Sequence, residues 1–302
     1  MSKVIPIKTI ALPVKSFYPL KKGDSMPPVL KLLRIHHWIK NGLIFLPLVF
    51  GGGLTDVSLF LTASAGALCF CFLASAVYVM NDLADMESDR LHEVKKFRPL
   101  AAKTVSEKTA KTLLAVMLFL AFCGTAALHN GTAAALLTAY LPINAVYSRG
   151  AKKIPILDIA LLVSGFVIRL FYGAALIDEE VSPWLYMTVT AMACYLALGK
   201  RRNDLLAGEN KGVLKVYTPA FLDKYMTVCQ TLTIAFYALW AMSVSRAAGM
   251  IWTVPLVIVI CMKYGLDIET QKYADPVDVL LSDKILCGLT ALYGLVMLGL
   301  LY

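Results

Sequence analysis

An all-α, polytopic membrane protein is the fold class this sequence predicts, and three observations predict it. The chain has 302 residues, of which 59% are hydrophobic and only 16% charged, where a soluble domain of that length is near a quarter charged. Apolar runs long enough to cross a bilayer as helices recur along its whole length. The runs are continuous, not alternating, which points to helices with all backbone groups bonded internally and argues against a barrel.

Nine helices are expected, near 41–55, 57–80, 111–128, 132–148, 154–177, 184–200, 225–244, 250–266 and 285–302. The first starts early, with Arg34 to Lys40 as its amphipathic approach. Residues 1–28 carry five lysines and no compact apolar stretch ending in small residues. They read as a basic tail on anionic headgroups and not as a signal peptide. Residues 29–302 then form one transmembrane domain. The seven cysteines all fall inside the apolar runs with no metal-ligand spacing, so they read as small packing residues.

Charge sets the orientation. Of 29 Lys and Arg, 27 fall in the tail and in the loops of one side. Arg169 lies within the fifth span, and only Arg246 lies in a loop of the other side, together with Asp56, Asp178, Glu179 and Glu180. Basic loops stay in the cytoplasm. The N-terminus and the long charged cap loops are therefore expected there, in a cytoplasmic (inner) membrane, with the C-terminus outside. No nucleic-acid partner is expected.

The stretch "NDLADMESDR", residues 81–90, ends the second apolar run. If the helix continues at ~100° per residue, with Asn81 at zero, Asp85 falls near ~40°, Asp89 near ~80° and Asp82 near ~100°. Glu87 and Arg90 fall on the far side. Four oxygen-bearing side chains thus converge, and clustered carboxylates repel unless a cation sits among them. Hard oxygen ligands suit Mg2+, which is usually shared with substrate phosphates. The plainer reading is a solvated helix end, although acids are poor anchors on a side full of Lys and Arg.

After the sixth span the chain reads "LALGKRRNDLLAGENKG", residues 196–212. Lys200, Arg201 and Arg202 either anchor the span or hold phosphate directly by charge-assisted hydrogen bonds. "VKKFRP" adds Lys95, Lys96 and Arg98, and "YSRGAKK" adds Tyr147, Ser148, Arg149, Lys152 and Lys153. Each of these either contacts a phosphate or anchors a helix end. Asp158 and Arg169 share one face of the fifth span but lie ~16 Å apart, too far to pair. Asp158 holds a ribose hydroxyl or a lysine; Arg169 meets a lipid phosphate or a structural partner. His36, His37 and His92 are not expected to be ligands, because Mg2+ prefers oxygen. Asp275, Asp278 and Asp283 in "ADPVDVLLSD" balance cations or close over the site.

"NDLADMESDR" resembles the first aspartate-rich motif, NDxxDxxxD, of the UbiA superfamily of intramembrane prenyltransferases, and nine spans with cytoplasmic site loops match that fold. The resemblance implies that Asn81 and Asp85 bind Mg2+ directly, with Asp82 and Asp89 as ligands or water-mediated partners, and that the metal holds a diphosphate. Most of that superfamily carries a second aspartate-rich motif after the sixth span, where this chain has Lys200, Arg201 and Arg202. "RIHHWIKNGLIFLPLVF", "YSRGAKKIPILDI", "GFVIRLFYG", "SPWLYM", "LALGKRRNDL" and "ADPVDVLLSD" together resemble the decaprenyl-phosphate phosphoribosyltransferase branch. Glu93 departs from an expected proline, and Lys103 lies near an expected glycine.

That branch implies transfer of the 5-phosphoribosyl group from phosphoribosyl pyrophosphate to a polyprenyl (decaprenyl-type) phosphate, a step toward cell-wall arabinan precursors. Asp82, Asp85, Lys200 and Arg201 are the expected catalytic residues. Lys40, Asn41, Lys95, Arg98, Tyr147, Lys152, Asp158, Arg169, Arg202 and Asp204 are the expected substrate-binding residues. Two other readings stand beside it. A Mg2+-dependent prenyltransferase acting on an aromatic acceptor would need a second acidic site, which Lys200 to Arg202 oppose. A lipid transporter or flippase has only Asp158 and Arg169 in its favour.

Overall fold

The computed structural model describes residues 26–92, 95–206, 208, 212–244, 248–270 and 275–302. Most of the expected tail, and Glu93, lie outside them. Twelve α-helices are described: α1 (Pro28–Leu33), α2 (Leu46–Phe50), α3 (Val57–Ala84), α4 (Met86–Arg90), α5 (Glu107–Ala127), α6 (Gly131–Arg149), α7 (Leu157–Leu176), α8 (Pro183–Leu206), α9 (Pro219–Ser243), α10 (Val254–Glu269), α11 (Pro276–Ser282) and α12 (Lys284–Leu301). There is no strand among the described residues.

Starts are set by side-chain caps. Asp56 accepts the Ser58 and Leu59 N–H groups at 2.8 and 3.1 Å to open α3. Ser106, Asn130, Thr218 and Asp283 open α5, α6, α9 and α12 in the same way. Each satisfies an N–H that the first turn cannot bond internally.

Six segments are long and apolar enough to cross a membrane: 57–84, 107–127, 157–176, 219–243, 249–269 and 284–301. The chain is an all-helical membrane protein, but its nine expected spans do not all take that form. The first is an 11-residue 3₁₀ helix, Ile35–Phe45, followed by the single turn and a half of α2. The expected sixth, α8, spends its last turns on Lys200 to Asp204, and the expected fourth, α6, carries Pro142, Asn144 and Arg149. Large apolar side chains cover the outer surface; Phe119, Met262 and Leu295 are all more than 60% exposed. A water-facing protein would not leave that much contiguous apolar surface uncovered.

α7 lies at the centre, packed on the 3₁₀ segment, α3, α6 and α8. Its Gly173 permits the closest approach. A Cβ there would lie 2.0 Å from the Ile44 carbonyl oxygen, which is backbone and cannot rotate aside. Gly173→Ala is expected to cost ~1–3 kcal/mol by forcing the two segments apart, read as a lowered melting temperature; an unchanged one would show that the 3₁₀ segment shifts freely.

Lys103, near the expected glycine, has a φ of +58°. That is the left-handed region glycine occupies at no cost. The departure seen in the sequence is thus a lysine in a glycine-type turn.

Candidate active site

Polar chemistry gathers at one end of the bundle, where α3, α6 and α8 finish and the 3₁₀ segment and α7 begin. The helix of α3 ends at Ala84, and Asp85 is a junction with φ −93° and ψ 1°. The i to i−4 bonding nevertheless continues, from the Asp85 N–H to the Asn81 carbonyl at 2.9 Å and from the Asp89 N–H to the Asp85 carbonyl at 2.8 Å. The expected face is therefore kept. Arg98 reaches Asp82 at 3.3 Å and Asp89 at 2.7 Å with one nitrogen, while Glu87 pairs outward with Arg90.

The four oxygen donors differ in how they are held. Asp82 and Asp89 are only 2% and 4% exposed. Asp82 also takes Arg34 at 2.6 Å. Asn81 accepts from the Ser148 hydroxyl on α6. Asp85 is the open one: its carboxylate is 36% exposed and, among the described residues, paired to Lys152 alone, at 3.0 Å.

Among the described residues, no three carboxylates, histidines or cysteines stand close enough to cage a metal. Two of the acids are occupied by arginines that cannot lose their charge. The donor set still fits Mg2+ of the kind that keeps its waters and needs only one or two carboxylates beside a substrate phosphate. Asp85 with Asn81 can supply that.

A second hub adjoins the acidic face through α6. Arg201 on α8 donates from Nε to Asp158 at 2.7 Å and from Nη2 to the Tyr147 hydroxyl at 3.0 Å, with Asp204 at 3.5 Å. Asp158 is completely buried and takes the Tyr217 hydroxyl at 2.7 Å. Tyr147 adjoins Ser148, so this hub and the acidic face share one turn of α6. Arg202 does not join it; its Nε turns outward to Asp223 on α9.

Lys200 and Lys40 meet at Asp275, 3.3 and 3.2 Å from its Oδ2. Burial opposes charge on Asp275, but the two ammoniums hold its carboxyl well below the usual range. Asp278, one turn on, has no ion pair among the described residues: burial, then the Asp275 charge, outweigh Lys40 and Lys200 and push it up to about 6. A group whose folded pKa is raised above 3.8 favours the fold at low pH, and that contribution is lost as pH rises through about 6. Asp278→Asn is therefore expected to raise the melting temperature at ~pH 7.5 and not at ~pH 2.5, below the unfolded value of 3.8, where both states hold the proton. Equal gains at both would remove titration as the cause.

Two expected site residues lie deeper. Asn41, expected at the mouth of the first span, is 2% exposed and accepts from Arg169 Nε at 2.7 Å. The short repeat of the 3₁₀ segment aligns Ile35, Trp38, Asn41 and Ile44 inward. Arg169 also donates to the Gly165 carbonyl at 2.7 Å and the Tyr140 hydroxyl at 3.1 Å, between the Phe70 and Tyr140 rings. Of the two sequence readings, these contacts are the structural one. Lys95 is half-buried near the acidic face. Arg34, Tyr217 and the bridging role of Asp275 had no local signal, because their partners lie 48, 59 and up to 235 residues away.

An all-helical membrane bundle with acids and cations interleaved in ion pairs at one end has the makings of an intramembrane enzyme that handles anions. Residues 43–278 match the UbiA prenyltransferase family, and the chain belongs to that family. It is 33% identical to the decaprenyl-phosphate phosphoribosyltransferase of Corynebacterium glutamicum, over 89% of this chain and 84% of that one. It is 31% identical to the protein of that name from Mycolicibacterium smegmatis, over 85% and 87%. Among solved structures, a UbiA homolog from Archaeoglobus fulgidus bound to GPP and Mg2+ superposes with a TM-score of 0.69 at 21% identity, covering 90% of this chain and 99% of that one. The family resemblance and the helical membrane fold read from the sequence are thereby borne out.

Proposed function

We propose that this protein transfers the 5-phosphoribosyl group of phosphoribosyl pyrophosphate to a polyprenyl phosphate of the decaprenyl type. The observation that carries the reading is the end of α8: Lys200 and Arg201 stand there, where a second acidic metal site would be needed to grip a prenyl diphosphate. The names of the relatives at 31 to 33% identity support it.

An oxygen of the lipid phosphate attacks C1 of the ribose as the C1–O bond to pyrophosphate breaks, and pyrophosphate leaves with the electron pair. The acceptor is already an anion, so no strong base is required, and positioning with charge neutralisation is the main task. Asp85 and Asn81, with Asp82 and Asp89 behind them, would hold Mg2+, which would supply positive charge to the leaving pyrophosphate. Lys152 and Arg98 border that diphosphate, Lys95 lies beside them, and Lys40 and Lys200 offer two ammoniums to a second phosphate. Arg201 holds Tyr147, Asp158 and Asp204 in place around the sugar. The site end faces the cytoplasm, where basic loops remain, and the product is of the kind consumed in building cell-wall arabinan.

The test is direct. Full-length protein in nanodiscs, given labelled phosphoribosyl pyrophosphate, polyprenyl phosphate and Mg2+, is expected to move label into lipid, and EDTA to stop it. No transfer, together with activity on a prenyl diphosphate and an aromatic acceptor, would overturn the reading.

A further inference from the structure

The Lys40–Asp275–Lys200 group does more than balance charge. Both ammoniums converge on the same atom, Asp275 Oδ2. Two cations aimed at one point repel unless an anion fills it. A carboxylate oxygen is there now, supplied by the chain itself. The other oxygen, Oδ1, accepts the Val277 N–H at 3.0 Å and caps α11. One side chain therefore holds both the lysine pair and the start of a seven-residue helix. Asp278, in the first turn of that helix, is 8% exposed, and its Oδ1 has no hydrogen-bond partner among the described residues. Docked α11 thus buries an unmet acceptor, which water satisfies once the helix lifts.

We propose that Asp275 is an internal stand-in for a substrate phosphoryl oxygen. It occupies the Lys40–Lys200 site until a phosphate takes both ammoniums, and α11 then undocks. The ligand class is a phosphate monoester or diphosphate, carried by the sugar donor or by the lipid. The inference rests on the proposed reaction for its substrates but not for its anion site.

The test compares Asp275→Asn with the wild-type full chain in nanodiscs. Asparagine keeps a capping oxygen and removes the charge. Inorganic phosphate, titrated without divalent metal, is expected to bind about fivefold more tightly to Asp275→Asn, because no internal competitor reduces the open fraction. The advantage is expected to vanish when Lys40→Met and Lys200→Met are added. Equal or weaker phosphate binding by Asp275→Asn overturns the proposal. Amides of residues 277–282 are expected to exchange faster in phosphate-saturated wild type, and unchanged exchange overturns the undocking. In turnover, the KM that falls in Asp275→Asn, for phosphoribosyl pyrophosphate or for polyprenyl phosphate, identifies the source of the phosphate. If neither falls in an active enzyme, the proposal fails. Tighter phosphate binding in a chain that transfers no phosphoribosyl group keeps the anion site and removes the proposed reaction.

Discussion

Asp85→Ala is expected to lower turnover at least about a hundredfold while leaving the melting temperature close to that of the wild type. The reason lies in the unequal footing of the acids. Asp85 is 36% exposed and has one ion-pair partner among the described residues, Lys152, itself 30% exposed. A pair so open to water contributes little to stability. Its carboxylate is also the one in the motif left free of arginine, and hence the one best placed to meet a metal-bound diphosphate. Asp82→Ala should behave oppositely. Asp82 is buried against Arg34 and Arg98; its loss takes a buried anion from Arg34 and leaves Arg98 with Asp89, at a cost of ~1–3 kcal/mol. The expectation is therefore a folded, inactive Asp85→Ala and a destabilised Asp82→Ala, distinguished by transfer assays and melting curves on both. Near-normal transfer by Asp85→Ala would remove the metal assignment altogether.

Arg201→Met carries the other large effect. Arg201 is the only cation bonded to Asp158 among the described residues, and Asp158 has no exposed surface. Removing it leaves a buried carboxylate with Tyr217 alone, an expected loss of ~3–5 kcal/mol. Adding Asp158→Asn should restore most of the stability, because the stranded charge is gone. The double variant then asks a question of function. If Arg201 only neutralises Asp158, KM for the phosphorylated substrates returns to that of Asp158→Asn alone; if it touches phosphate or orders Tyr147, KM stays above it. Arg201→Lys is expected to fall between, since one ammonium cannot reach Asp158 and Tyr147 as the planar fork does.

The parts of this protein legible in its sequence are those with short-range periodicity. The expected face of Asn81, Asp82, Asp85 and Asp89 follows from one helical repeat, and the backbone bonding of that repeat crosses the junction at Asp85, although among the described residues the acids do not close into a metal cage. Membrane character followed from the apolar runs. What stayed hidden depends on contacts between distant segments. Nothing near Asp82 announces Arg34, and nothing near Lys40 announces Asp275. The first span was misjudged for a different reason: Ile35–Phe45 is apolar enough for a helix, but the 3₁₀ form changes which residues face inward. That change took Asn41 from a mouth to an interior. Arg202 shows the limit of composition, since it adjoins Arg201 in the chain yet serves α9 instead.

Arg169 imposes an order on biogenesis. A guanidinium inside a bilayer is costly until polar groups surround it. Its partners Asn41 and Tyr140 both precede it in the chain, and Gly165 travels in the same helix. Since synthesis runs from the N-terminus, these groups are made before the cation that needs them. Had Arg169 stood on the second span and its partners on the seventh, the ribosome would deliver the charge to lipid with nothing to receive it.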